Sequence, residues 1–204
     1  MSWQVIQIEV KIYSDWRSGT GKGEGARLDA VTLRDELGLP MLSGRHIKGL
    51  FKHAFLSMYE WEKCTKDEID LLFGYGPLND EESAKISRFE STSGTLNFSS
   101  ATLSEEWKSY FKSIEPSERV ALLSHFFRSI KQTSIEDEMA KPGSLRTMEV
   151  AIPLSLHAQI SGDFTAQQFE LIKKASKLIR SVGSNRTKGL GRAELILTTQ
   201  DQKG

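Results

Sequence analysis

The chain has 204 residues, 26% of them charged and 38% hydrophobic, with 27 Lys+Arg balanced by 27 Asp+Glu. That composition argues against a disordered polymer, and the zero net charge means that any nucleic-acid partner must be held by local basic patches. A single cysteine, Cys64, excludes an intrachain disulfide and a thiolate zinc site and fits a reducing cytoplasmic compartment; the apolar runs are too short to span a bilayer, and the first residues show no signal-peptide pattern.

Ile6, Ile8, Val10 and Ile12 alternate with Gln7, Glu9 and Lys11, which predicts a half-buried strand over 3–13. Gly19, Gly21, Gly23 and Gly25 follow at alternate positions and read as a loop. No Lys-Ser/Thr pair closes this loop and no helix opens after it, so it is neither a Walker A loop nor a dinucleotide fingerprint. Residues 28–42 read as two short extended pieces joined by a turn, with Asp29 and Asp35 flanking an apolar segment. A carboxylate there is either a turn former or a group that holds Mg²⁺ or orients a ribose 2′-hydroxyl for attack on the next phosphate.

Ser43-Gly44 opens a helix that should run to about Trp61. Ile47, Leu50, Phe51, Ala54, Phe55 and Met58 form its apolar stripe, and Arg45, Lys48 and Lys52 lie largely off it. Ser43 reads as an N-cap, and the helix start with Arg45, His46 and Lys48 reads as an anion site. Gly49 inside the helix costs about 1 kcal/mol relative to alanine, so a close approach by another backbone, by RNA or by a packed helix should explain it.

Ile69 to Phe73 reads as a helical turn stopped by Gly74, and Asn79 to Ser93 as loop. Residues 94–101 read as a strand, and Glu105 to Phe111 as a short helix or irregular. The stretch 125–147, with Phe126 and Phe127 at its start and Lys141-Pro142-Gly143 as a turn, reads as a protruding hairpin. Alternation returns from Met148 to Ile160 as one strand, with Pro153 asking for an edge or a bulge.

Thr165 and Gln168 form a capping box for a second helix, whose buried face runs Phe169, Ile172, Ala175, Ser176, Ile179, Val182 and which should end at Gly183. The next loop holds Gly183, Arg186, Lys188, Gly189, Gly191 and Arg192, and a last strand covers 193–199. Glycines that let a backbone approach closely, joined to three cations, suit a phosphate chain; the plainer reading is a helix C-cap followed by a solvated basic turn. The histidines show no zinc-ligand spacing.

The element order is strand, helix, strand, strand, helix, strand. It predicts an α+β, ferredoxin-like (RRM-like) domain over 1–204, with two helices on one face of an antiparallel sheet, the other face free, and an insertion at about 104–147. RNA-recognition modules often use such a free face.

Two segments together resemble the RAMP superfamily, whose members build type III CRISPR effector complexes. Pro40-Met41-Leu42-Ser43-Gly44-Arg45-His46-Ile47-Lys48-Gly49 resembles the family motif at the first helix, with Ser43 in place of a proline and Arg45-His46 in place of two serines. Arg186-Thr187-Lys188-Gly189-Leu190-Gly191-Arg192 resembles its C-terminal glycine-rich loop, and Leu72-Phe73-Gly74 a further signature. The resemblance is closest to the small backbone subunits that polymerise along guide RNA. It implies that Ser43, Gly44, Arg45, His46, Lys48 and Lys52, with Gly183, Arg186, Lys188, Gly189, Gly191 and Arg192, bind RNA. It implies that the insertion holds a thumb-like hairpin wedged between bases of the guide–target duplex. It also implies that Asp29 is the catalytic and metal-binding residue that cuts target RNA with Mg²⁺ or another divalent ion. The implied partners are guide RNA, complementary target RNA and other subunits of the complex, with no membrane. Two alternatives stay open: a structural subunit without catalysis, and a stand-alone guide-processing endoribonuclease with His46 as general acid or base.

Overall fold

The computed structural model describes residues 3–19, 31–75, 92–132, 135–136, 139–140 and 146–199. Strand β1 (Trp3–Ile12) is followed by α1 (Gly44–Glu60), α2 (Lys66–Phe73), β2 (Gly74–Tyr75), β3 (Thr92–Ser93) and β4 (Asn97–Phe98). Then come α3 (Glu105–Ser113), α4 (Pro116–Ser124), β5 (Phe127–Gln132), β6 (Ile135–Glu136), β7 (Met139–Ala140) and β8 (Arg146–Ala151). Strand β9 (Ser155–Asp163), α5 (Ala166–Leu178) and β10 (Ala193–Thr199) complete the order.

The main sheet runs β10-β1-β9-β4, antiparallel throughout. That is the ferredoxin-like arrangement predicted from the element order. Ile6, Ile8, Val10 and Ile12 of β1 are buried on one face, beside Leu156, Ala158 and Ile160 of β9 and Leu195 of β10. Helices α1 and α5 pack against each other, α1 against β4 and α5 against β10, so both cover that face. All six residues of the α1 stripe are buried. The opposite face carries Gln7, Glu9 and Lys11, with exposed His157, Gln159 and Glu194. Among the described residues, this face has neither a stacking aromatic platform at its centre nor a cationic stripe.

Four expectations need correction. The strand read from Met148 to Ile160 is two strands in different sheets. Pro153 lacks an N–H, and the chain turns there: Ala151 exchanges hydrogen bonds with Trp16, Ile152 donates to Phe126, and the Leu154 carbonyl accepts from Ile12. Strand β8 pairs with β5, from Phe127 opposite Ala151 to Gln132 opposite Arg146, while β9 joins the main sheet. Second, the strand read over 94–101 shrinks to Asn97–Phe98, because Ala101 pairs with Leu42 and Thr102 with His157. Third, the second helix stops at Leu178 instead of Gly183. Ile179 is extended, and Ile179 and Val182 are buried as extended chain because Val182 donates to Gly191 and Arg180 accepts from Ala193. Fourth, residues 105–124 hold two helices, α3 and α4, where the sequence suggested one at most.

Candidate nucleic-acid interface

Ser43 has extended backbone angles, and its hydroxyl accepts from the His46 N–H at 3.2 Å, so it is the N-cap of α1. Gly44 donates to the Ser100 hydroxyl at 3.3 Å and is packed so closely on β4 that a Cβ would meet the Phe98 carbonyl oxygen. The helix start is thereby fixed to the sheet edge with its positive dipole end outward.

The glycine-rich loop closes as a narrow hairpin: Ser181 pairs with Arg192, and Arg186–Lys188 form a single 3₁₀ turn. Gly183 and Gly191 have φ of 80° and 69°, and a Cβ at either would run into a carbonyl oxygen, of Arg17 and Val182 respectively. The backbone just after β1 clamps the loop. Asp15 accepts from the Gly191 N–H at 2.8 Å, and the Arg17 carbonyl accepts from the Ser184 N–H at 2.8 Å and its hydroxyl at 3.2 Å.

The two segments meet directly. The Gly183 N–H donates to His46 Nε2 at 2.9 Å, across 137 residues of chain. A ring nitrogen that accepts carries no proton, so the imidazole is neutral. Burial first, then the Arg186 guanidinium, push its pKa below the usual histidine value. Around this bond lies a cleft of about 380 Å³ formed by Ser18, Ser43, Arg45, His46, Gly183 and Ser184. Beside it is a second of about 420 Å³, with Arg180, Arg186, Gly189 and Arg192 on its walls.

Among the described residues, Arg45, Arg186, Lys188 and Arg192 form no ion pair with a carboxylate. All four are exposed. The Arg192 guanidinium sits 5.9 Å from the centre of the Tyr13 ring. Apart from its two chain neighbours, no described residue has an atom within 4 Å of where a Cβ on Gly189 would stand. An uncompensated cation cluster around an open glycine turn is a surface for an anionic chain.

Of the other residues read as RNA-binding, Lys48 is half-buried on α1, and Lys52 stands apart, its Nζ donating to the Gly74 carbonyl at 3.3 Å. Asp29 lies outside the described residues. Asp35 is a turn former: its Oδ1 accepts from the N–H groups of Leu37 and Leu39, both at 2.9 Å. Among the described residues, no three His, Cys, Asp or Glu side chains converge on a cation site.

Sequence reading missed the stretch 14–19, which supplies the clamp through the Asp15 and Arg17 carbonyls and the Ser14 hydroxyl, the last accepting from the Arg192 N–H at 2.9 Å. Backbone carbonyls carry no side-chain signature, so nothing in the sequence marked it. It also missed Arg180, which follows the helix that was read as running on to Gly183.

No curated protein sequence matches the chain. In structure, the chain is similar to a chain of the type III-B Cmr-beta bound to cognate target RNA. The TM-score is 0.67 at 12% identity, over 95% of this chain and 96% of the other. It is also similar to a chain of the type III-B Cmr-beta in the apo state, with TM-score 0.64 at 13% identity, over 96% and 97%. At such identities the likeness is one of fold. The sequence model of the RAMP superfamily matches residues 9–194. With both motif segments joined in one cationic surface and the ferredoxin-like sheet in place, the chain belongs to the RAMP superfamily.

Proposed function

We propose that the chain is a guide-RNA-binding backbone subunit of a type III CRISPR interference complex. The observation that carries this reading is the His46–Gly183 hydrogen bond. It makes the start of α1 and the glycine loop one surface, with Arg45, Arg186, Lys188 and Arg192 around it, none of them in an ion pair among the described residues. Membership of the superfamily and the likeness to chains of a Cmr-beta complex bound to target RNA support it. Contacts of this kind grip phosphates and fix register without reading sequence. Guide pairing would then select the target. In this reading the paired strands β5 and β8 would serve as the thumb-like wedge. The commitment of His46 Nε2 to the Gly183 N–H disfavours a free-standing endoribonuclease that uses this imidazole as its base.

The test of binding is RNA affinity of the purified chain. Lys188→Ala with Arg192→Ala should weaken binding of single-stranded RNA at least tenfold, about equally for unrelated sequences. Unchanged affinity would sink the assignment of the loop.

The proposal extends to chemistry through Asp29, on the resemblance of 28–40 to the family's cutting loop. The experiment compares target-RNA cleavage by the guide-loaded assembly, wild type against Asp29→Ala, with and without Mg²⁺. Cuts lost in the mutant with assembly intact make this subunit a metal-dependent nuclease. If all cuts persist, its role is to bind and shape the duplex.

A further inference from the structure

A groove of about 300 Å³ runs between α1 and the end of α5. Its floor is apolar: Leu50, Ala54 and Ile179 are all buried. At one end stands Trp61, 57% exposed, whose indole packs on no other aromatic ring among the described residues. On the opposite wall are Arg180 and Arg186, neither in an ion pair among the described residues.

The same two arginines line the cleft of the glycine loop. The groove and the loop are therefore one continuous surface that shares a cationic ridge. An exposed indole over an apolar floor accepts the flat face of a base, and paired guanidinium groups accept a phosphate. Charge decides the occupant: two unpaired arginines favour an anionic strand over an apolar peptide.

We propose that this groove is a nucleotide site for RNA leaving the glycine loop, with a base stacked on Trp61 and its phosphate between Arg180 and Arg186. The inference rests on the RNA-binding reading of the loop.

The probe is a 12-nucleotide oligouridine RNA carrying 4-thiouridine, bound to the full chain. Photocrosslinks should map to Trp61 or His53 as well as to the glycine loop. Trp61→Ala should weaken binding roughly tenfold, and Trp61→Phe should restore most of it. Arg180→Ala should flatten the salt dependence by about 0.7 in log–log slope. Trp61 is more than half exposed, so the alanine variant keeps the fold, which circular dichroism checks. Unchanged affinity in Trp61→Ala, with crosslinks confined to the loop, overturns the groove site and gives that face to a protein neighbour. The loop reading survives that result. A loss in Trp61→Ala with none in the Lys188→Ala, Arg192→Ala pair sinks the loop reading, and the groove as a site for RNA leaving that loop falls with it. If the wild-type chain binds no RNA, both fall.

Discussion

His46 joins two segments of the surface by one hydrogen bond, and it can do so only as a neutral ring. Its folded-state pKa lies below the ordinary value of 6.5. The unfolded chain therefore takes up a proton near pH 6.5 that the folded chain refuses. The contribution of His46 to stability is complete above that pH and is lost as pH falls below it toward the depressed folded value. Urea unfolding at pH 7.5 and pH 5.5 should show this loss, and His46→Gln should shrink it. His46→Ala should cost about 1–3 kcal/mol at neutral pH by leaving the buried Gly183 N–H without an acceptor. Two glycines of α1 make opposite predictions. A Cβ on Gly44 meets the Phe98 carbonyl, so Gly44→Ala must push α1 off β4 and lower the melting temperature. A Cβ on Gly49 meets nothing within 4 Å, so Gly49→Ala should stabilise the fold by about 0.5–1 kcal/mol. Among the described residues, no packed helix or approaching backbone explains Gly49. If RNA runs along Arg45 and Lys48, the stabilised Gly49→Ala variant binds RNA more weakly than wild type.

At the scale of elements, the ladder of β5 and β8 is fastened to the body through Glu149. Its carboxylate is nearly buried, with Oε1 accepting from the Thr32 N–H at 3.1 Å and Oε2 from Arg34 at 2.7 Å. Its own carbonyl accepts from the Thr32 hydroxyl at 3.1 Å, and the Arg34 guanidinium lies 4.0 Å above the Phe127 ring. One residue thus ties β8, β5 and the 31–34 segment together. Glu149→Ala would strand a buried Thr32 N–H and leave Arg34 unpaired, at about 2–3 kcal/mol after allowing for the partial exposure of Arg34. Hydrogen exchange should then speed up over 127–132 and 146–151 and stay slow in β1 and β9. A uniform rise across the chain would show that Glu149 serves global stability instead of this joint. The position of Pro153 belongs to the same joint: alternation runs through it unbroken, yet the missing N–H and the turn between two sheets divide the strand.

For the whole molecule, a net charge of zero coexists with a strongly cationic patch, since Arg45, Arg180, Arg186, Lys188 and Arg192 gather from segments far apart in the chain. Local contacts, not global attraction, then set RNA affinity. Titration across salt should give a log–log slope of about −2 to −3 for single-stranded RNA, the value for three or four neutralised phosphates. A slope near zero would mean that the patch does not hold the RNA backbone.

Side-chain order alone dictated the strands and helices whose burial is periodic. The alternating isoleucines of β1 and the stripe of α1 are each dictated by one side-chain period, which local order preserves. It also marked both motif segments, because glycines and cations keep their character wherever they fold. It overran at Leu178 and at Pro153, where hydrophobic residues continue but backbone hydrogen bonds lead elsewhere. Long-range packing brings His46 to Gly183, sets the 14–19 segment as a clamp on the glycine loop, and lets Glu149 hold Thr32 and Arg34. These contacts join residues more than a hundred positions apart, and several use backbone atoms common to every residue. Neither periodicity nor composition carries information about such pairs; the packing of the sheet and helices does.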